Sequence, residues 1–348
     1  MAIGRRRPTV DPRKAGSVEA ALRRALRAAV AGDRAGAETW LERIVEADSA
    51  DLDAYHALAR LYREQGDIGR AIRMHQNLLL RSGLSKAEKN EALLELARDF
   101  EAGGFVERAV AGYEEVLDAN PREREALERL VGLLGAMGEY PRALALSKRR
   151  RRFDREAAEA EERQLLLSQA QAQSSEGDSD GARATLKRAL RKNRDDARAW
   201  SMLGDLEAER GRGARAIDAW RKAVSADRSL GSTLLPKIEA GFAARKKVRE
   251  YEKFVRSLLE EHPKDASAHV ALARSLAARG ETAEAIESLS RAVEIAPGAP
   301  SLRVELGRLL LDGGHEGEVL KAFGALLDVI ERDAWGALDV SESEEGTA

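Results

Sequence analysis

The chain of 348 residues is 34% charged and only 4% aromatic, and its formal net charge is −2. A nearly neutral chain has no overall field that would attract nucleic acid or an anionic membrane, so either contact would need a local basic patch. Because the sequence contains no cysteine, it has no disulfide, thiolate metal ligand or thiol nucleophile.

Residues 1–16 form a basic segment with four arginines and one lysine, namely Arg5, Arg6, Arg7, Arg13 and Lys14. The apolar core of a secretory signal does not follow it. No part of the sequence approaches the roughly 18–20 consecutive apolar residues of a membrane-spanning helix. We therefore expect a flexible basic arm over 1–16 and a cytoplasmic protein.

From about residue 17 to about residue 335, a pattern of apolar and small residues recurs with a period of 34 residues. The segment that begins at Asn90 fills every position of this pattern, with Leu93, Leu96, Ala97, Phe100, Gly104, Ala109, Tyr113, Val116 and Pro121. Position 20 marks the repeats most clearly, with Ala37, Ala71, Ala109, Ala143, Ala182, Ala216, Tyr251 and Ala285. We count nine copies, and the strongest begin at Leu52, Asn90, Ala197 and Ala266.

Each copy predicts two antiparallel helices, A and B, joined by a tight turn. Small residues let the helices approach closely, glycine at position 15 permits the turn, and large residues fill the space to the next pair. This is the pattern of the tetratricopeptide repeat (TPR). We predict an all-α TPR solenoid, a right-handed superhelix of about nine helix-turn-helix repeats over 17–335, with a disordered acidic tail over 336–348.

Two stretches, 81–92 and 148–163, interrupt the period of 34 residues. The first lies between the second and third repeats, and the second between the fourth and fifth. Both contain residues that are compatible with helices. We therefore expect lengthened helices or short bridges there, and no linker between domains.

The second and third repeats contain a more specific sequence. Residues 66–78 read GDIGRAIRMHQNL, and residues 96–117 read LARDFEAGGFVERAVAGYEEVL. These segments and the two long intervals resemble the lipopolysaccharide assembly protein B family, bacterial inner-membrane proteins with nine TPRs. The positions that match that family are Arg63, Arg70, His75, Gln76, Arg98 and Asp99.

The resemblance implies an adaptor. In that family, the repeats bring the lipid A deacetylase to a membrane-bound AAA+ protease and so restrain lipopolysaccharide synthesis. The family also has an N-terminal membrane helix and a C-terminal rubredoxin-like metal domain with four cysteines, and we expect this chain to lack both. The resemblance thus implies partners among envelope-biogenesis proteins, and peripheral contact at the inner membrane is an alternative to a purely cytoplasmic location.

In a TPR superhelix, positions 2, 5, 9 and 12 of helix A line the concave groove, which is the usual ligand surface. The predicted partner-binding residues are Asp53, His56, Arg60, Arg63, Glu91, Leu94, Arg98 and Glu101, with the position-9 arginines Arg274 and Arg308. A row of guanidinium groups suits acidic protein segments, because each can bind a carboxylate through two hydrogen bonds. The alternative is that these arginines are solvated or paired within the chain.

The sequence predicts no catalytic group, cofactor or metal site. Metal ligands and acid/base pairs require defined spacings, whereas the five histidines are scattered along the chain: His56, His75, His262, His269 and His315. For His75 and Gln76, the ordinary interpretation is helix packing with a hydrogen-bonded glutamine. We therefore predict a protein that is not an enzyme.

A second basic segment, residues 148–152, reads KRRRR and is followed by Glu156, Glu159, Glu161 and Glu162. Such a run can contact anionic lipid or nucleic acid. More often it is a solvated helix face that nearby acidic residues balance. We expect no specific nucleic-acid partner, and membrane contact only through these basic patches.

The predicted function is a scaffold or adaptor for protein–protein interaction, of the kind that the family resemblance implies. A general TPR assembly factor or co-chaperone, serving a secretion, motility or other multiprotein complex, is the alternative. The gene neighbourhood would distinguish the two most cheaply.

Overall fold

The computed structural model describes residues 15–47, 51–315 and 317–327. Every regular element in these ranges is helical, and they contain no strand. This confirms the all-α prediction. The predicted basic arm lies outside the described residues except at positions 15 and 16, which belong to the first helix, and the predicted acidic tail lies entirely outside them.

The chain divides into two compact units between Leu165 and Leu166. The first contains α1 (Ala15–Val30), α2 (Arg34–Ala47), α3 (Leu52–Glu64), α4 (Ile68–Leu79), α5 (Lys86–Ala102), α6 (Val106–Ala119), α7 (Arg124–Ala136), α8 (Tyr140–Arg150) and the beginning of α9 (Arg155–Ser175). Consecutive helices pack as the pairs α1/α2, α3/α4, α5/α6 and α7/α8. These pairs correspond to the first four predicted repeats.

The second unit continues α9 and contains α10 (Ser179–Lys192), α11 (Ala197–Glu209), α12 (Gly213–Ala226), a 3-10 helix (Arg228–Leu230), α13 (Gly231–Ala244), α14 (Val248–Glu261), α15 (Ala266–Ala278), α16 (Thr282–Ile295), α17 (Pro300–Asp312) and a last helix over 317–327. α11 packs closely against α12, and α15 against α16, whereas α13 and α14 pack less extensively. The helix pattern agrees with the predicted repeats, and one superhelix over 17–335 stays a prediction.

Glycines at position 15 form the turn between helix A and helix B. Gly66, Gly104 and Gly211 have φ angles of 82°, 73° and 70°, in the left-handed region that glycine adopts without a Cβ penalty. After Gly66, the side chain of Asp67 accepts a hydrogen bond from the Arg70 N–H and so caps α4. The predicted glycine turns are confirmed.

The two stretches that interrupt the period lengthen helices, as predicted. α5 has 17 residues and begins at Lys86, where Ser85 and Glu88 form a capping box that satisfies two backbone N–H groups. α9 has 21 residues and begins at Arg155. A regular helix A, such as α3 or α11, has 13 residues.

The seventh repeat, which begins at Ser232, has Lys246 in place of the turn glycine, with a φ of 56°. A side chain in the left-handed region costs roughly 1–2 kcal/mol, of which the greater flexibility of unfolded glycine offsets part. We therefore expect Lys246→Gly to raise the free energy of unfolding by about 1 kcal/mol in urea titrations. The reverse exchange, Gly211→Lys, should lower the free energy of unfolding by a similar amount, because Gly211 has a φ of +70°. Its surroundings leave open space for a Cβ atom, so this variant tests backbone strain without a steric clash. A destabilised Lys246→Gly variant would contradict this explanation.

Candidate protein-binding surface

Glu95 is the centre of an ion-pair network between the second and third repeats. Its buried carboxylate accepts hydrogen bonds from Arg60 on α3, at 2.9 Å from Nε and 2.5 Å from Nη2. Arg63 Nη2 lies 3.0 Å from the second carboxylate oxygen, and Arg98 contacts Glu95 from one turn further along α5. Arg98 Nε also donates to Glu125 on α7, at 2.6 Å. Three of the predicted groove arginines are therefore paired within the chain.

The charges in this network keep Glu95 ionised. Burial alone would raise the pKa of Glu95, but the hydrogen bond from Arg60 and the charges of Arg98, Arg60 and Arg63 outweigh burial and lower this pKa to about 2. For Arg98, burial acts to lower the pKa, but the hydrogen bond to Glu125 and the charge of Glu95 raise it. The network is thus charged on both sides at neutral pH.

Asp99, one turn beyond Glu95, connects the ion pairs to two buried histidines. Its carboxylate accepts from Arg63 Nη1 at 2.7 Å and lies 2.5 Å from His75 Nδ1. His75 Nε2 in turn lies 3.2 Å from His56 Nδ1, and the two rings are 5.2 Å apart. All three side chains are buried. Helices α3, α4 and α5 are therefore joined by a continuous chain of polar contacts.

Hydrogen-bond rules limit where the protons in this chain can lie. A carboxylate only accepts, so His75 Nδ1 donates to Asp99, whereas the donor and acceptor roles of His75 Nε2 and His56 Nδ1 depend on the tautomers of the two rings. Burial, followed by the proximity of His75, lowers the pKa of His56. Polar contacts thus orient both rings, since His56 contacts His75 and His75 also contacts Asp99.

The family-matching positions fall into two groups in the structure. Arg63, His75 and Asp99 belong to the network, and Arg98 joins it through Glu95. Arg70 lies apart and pairs with Glu38 (2.8 Å) and Asp67 (2.5 Å), and Gln76 is exposed. The matching residues therefore mainly fix how the second and third repeats pack.

The predicted groove residues differ in how open they are. His56 is buried, whereas Arg60 and Arg98 keep 48% and 25% of their side chains exposed. Asp53 and Glu91 are exposed and Leu94 is half-buried.

The other predicted groove residues are Glu101, which accepts from Tyr113 Oη at 2.6 Å, and two arginines of the second unit. Arg274 binds Glu305 through two hydrogen bonds of 2.6 and 2.8 Å. Arg308 is exposed and has no ion pair with any residue that the structure describes.

The basic segment 148–152 is largely paired. Arg151 binds the buried Glu162 through two hydrogen bonds of 2.8 Å, and Arg150 binds Glu161 at 2.5 Å. Arg149 donates to the carbonyl oxygen of Pro121 at 3.1 Å. The acidic residues that follow the segment thus balance much of its charge, which is the ordinary interpretation of such a run. The N-terminal arginines lie outside the described residues.

Within the described ranges, no three His, Cys, Asp or Glu side chains are arranged to hold a metal ion. The same ranges contain no helix that is both long and apolar enough to cross a bilayer.

Sequence reasoning missed the acidic partners of the groove arginines. Glu95 lies three residues before Arg98, a spacing that places both on one helix face. Its distance of 35 residues from Arg60 is close to one repeat, so a search for opposite charges one repeat apart would have found it. Glu125 lies 27 residues after Arg98, and no simple period indicates it.

Comparison with known proteins agrees with this architecture. Tetratricopeptide-repeat family models match residues 54–88, 167–230 and 252–300. With the helix pairs and glycine turns described above, these matches show that the chain contains tetratricopeptide repeats.

Among proteins with such repeats, the chain is similar to lipopolysaccharide assembly protein B. It is 25% identical to the Escherichia coli K12 protein over 289 residues, which cover 82% of this chain and 73% of that protein. The Haemophilus influenzae protein of the same name is 30% identical over 109 residues, 31% of this chain and 27% of that protein. The resemblance that the second and third repeats indicated is confirmed.

Solved structures of TPR proteins also resemble the chain. A tetratricopeptide repeat protein from Parabacteroides merdae covers 85% of this chain and 99% of its own length, with 17% identity and a TM-score of 0.40. YrrB, described as a TPR protein with an unusual peptide-binding site, covers 51% of this chain and 91% of its own length, with 19% identity and a TM-score of 0.33.

Proposed function

We propose that this protein is a non-catalytic adaptor that acts in lipopolysaccharide assembly, by holding a protein partner on the helix A surface of its second and third repeats. The observation that carries the proposal is that the resemblance to lipopolysaccharide assembly protein B is most specific where the buried network joins these two repeats. Paired side chains at a repeat joint are what a binding surface of fixed shape requires, because preorganised side chains lose less entropy on binding.

The network leaves two cations accessible. Glu95 holds the guanidinium groups of Arg60 and Arg98, yet 48% and 25% of these side chains remain exposed. A guanidinium group that bonds one carboxylate still has free N–H groups, since it carries five donors. Acidic side chains of a partner can therefore bind the outer edge of the same arginines. The adaptor role in the family suggests the lipid A deacetylase as that partner.

The test is binding of the purified lipid A deacetylase from the same organism to the full chain, measured by biolayer interferometry. We expect Arg60→Gln to weaken binding at least tenfold and to make it less sensitive to salt. The fold should persist, because Glu95 keeps Arg63 and Arg98. Arg73→Gln is the matched control: Arg73 is exposed on α4 in the same repeat, and the change removes the same charge.

Equal loss in both variants would mean that overall charge, and not the groove, attracts the partner. Wild-type affinity in Arg60→Gln would contradict the proposal that the helix A surface of the second and third repeats binds the partner. Absence of deacetylase binding to the wild-type protein would contradict the specific adaptor role, and the general TPR assembly factor would then be the better proposal.

A further inference from the structure

The seventh repeat, which begins at Ser232, departs from the pattern at the positions where helices A and B approach most closely. Positions 8 and 20 are small in the well-matched repeats, for example Gly204 and Ala216 in the sixth. In the seventh they are Glu239 and Tyr251. Because two large side chains cannot fit between tightly packed helices, α13 and α14 pack less extensively than α11 and α12 or α15 and α16.

Beside this repeat lies a cavity of about 380 Å³, lined mainly by the helices A of three successive repeats. α13 contributes Leu235 and Glu239, α15 contributes Val270 and Arg274, and α17 contributes Leu302. Aliphatic groups therefore form much of the wall, and charged groups lie at the edge. Arg274 is one of the predicted groove arginines, so the cavity lies on the predicted binding surface.

Polar groups in the cavity lack partners within the described residues. Tyr251 also lines it and is 0% exposed, and its hydroxyl oxygen makes no hydrogen bond there. Glu239 is half-buried and has no ion pair with the residues around it. Burial raises the pKa of Glu239, an effect that Arg274 opposes. A buried hydroxyl without a partner destabilises the folded state, and a ligand that supplies the missing hydrogen bond would remove this penalty.

A third acceptor lies in α13 itself. Pro236 is inside this helix and lines the cavity. Proline has no N–H, so the carbonyl oxygen of Ser232, four residues earlier, lacks its helical donor. Ser232 lines the same cavity. The Ser232 carbonyl oxygen and the Glu239 carboxylate can only accept hydrogen bonds, and the Tyr251 hydroxyl can accept as well as donate, so a donor group suits all three.

The local charge favours a cation. Arg274 is neutralised by Glu305 through two hydrogen bonds. Of the charged groups that line the cavity, the Glu239 carboxylate is then the one without an ion pair among the described residues. A positively charged donor on an alkyl chain satisfies both the aliphatic wall and the acceptors.

We propose that this cavity, the Glu239 pocket, binds a lysine or arginine side chain of a protein partner. The alkyl part lies against Leu235, Val270 and Leu302, and the cationic end donates hydrogen bonds to Glu239. The inference rests on the proposed scaffold function, and it adds a second specificity: a basic residue at the seventh repeat, distinct from the acidic segments expected at the second and third.

The test begins with selection of a random dodecapeptide phage library on the immobilised full-length protein. Enriched peptides are synthesised with a fluorescent label, and their affinity is measured by anisotropy. We expect each to contain a lysine or arginine whose replacement by norleucine, which keeps the alkyl chain, weakens binding at least tenfold. Glu239→Gln should weaken it to the same extent, whereas Glu209→Gln, at an exposed glutamate on α11, should leave it unchanged.

Tyr251→Phe separates binding from folding. Removal of a hydroxyl that has no partner should leave the melting temperature of the free protein unchanged or higher, yet weaken peptide binding severalfold. A destabilised Tyr251→Phe variant with normal binding would mean that the hydroxyl serves the fold, and would overturn its part in the pocket.

The outcomes distinguish the pocket from the scaffold function. Peptides that bind Glu239→Gln as tightly as wild type, or that tolerate norleucine, would overturn the pocket alone. Enrichment of no peptide, together with no deacetylase binding, would overturn both. Light scattering tests whether a second copy of this chain occupies the pocket. A wild-type dimer that becomes monomeric in Glu239→Gln would overturn the proposal that the occupant belongs to another protein.

Discussion

Replacement of Trp220 by alanine is expected to lower the free energy of unfolding of the second unit by about 3–5 kcal/mol. Trp220 on α12 is buried and belongs to the same core cluster as Leu234 and Ile238 of α13. Its Nε1 donates to Asp205 on α11 at 3.0 Å. Loss of the ring therefore opens a cavity among three helices and leaves Asp205 with one partner fewer. Urea titration followed by circular dichroism measures the change.

Gly204 provides the control for this prediction. A Cβ atom at Gly204 would overlap the Trp220 ring, so Gly204→Ala should cost about 1–3 kcal/mol in the wild-type protein through overpacking. With Trp220→Ala, the same methyl group enters the space that the ring has left, and the added alanine should be neutral or stabilising. Additive costs in the double variant would show that the two residues do not pack together.

Trp220 and Gly204 also show why the fold could be predicted from the sequence. The structure requires a small residue at position 8 wherever a large one at position 24 packs on it, and this requirement recurs every 34 residues. Nine weak signals in register then outweigh local ambiguity. Lengthened helices could be predicted in the two added stretches, 81–92 and 148–163, because most of their residues are compatible with helices.

The candidate site was less predictable, because side-chain pairing depends on distances between repeats that no period specifies. Position 9 identified Arg60 and Arg98, but their partner Glu95 lies at position 6, where the repeat pattern sets no residue type. Similarly, the pattern detected Tyr251 as an exception among alanines without indicating that Glu239 lies near it. A repeat with large residues at both position 8 and position 20 is therefore a pattern by which a sequence search could find such a cavity.

Glu95 should make the largest electrostatic contribution to stability in the first unit. We expect Glu95→Gln to lower the free energy of unfolding by about 3 kcal/mol at pH 7, because it leaves the guanidinium groups of Arg60, Arg63 and Arg98 close together without their shared carboxylate. Arg63 is the least exposed of the three, so it bears most of the unpaired charge. Glu91→Gln on the same helix is the control, since Glu91 is exposed.

The pH dependence tests the same carboxylate independently of any cavity or helix effect. The pKa of Glu95 in the folded protein is about 2, against an ordinary value of 4.5. A lowered pKa means that the ionised form binds better in the folded state, so its stabilisation is complete above about pH 4.5 and disappears as the pH falls towards 2. Wild-type stability should therefore fall more steeply in this window than that of Glu95→Gln, while Glu91→Gln follows the wild type. Parallel curves for wild type and Glu95→Gln between pH 4.5 and 2 would show that Glu95 is not the group that the three arginines stabilise.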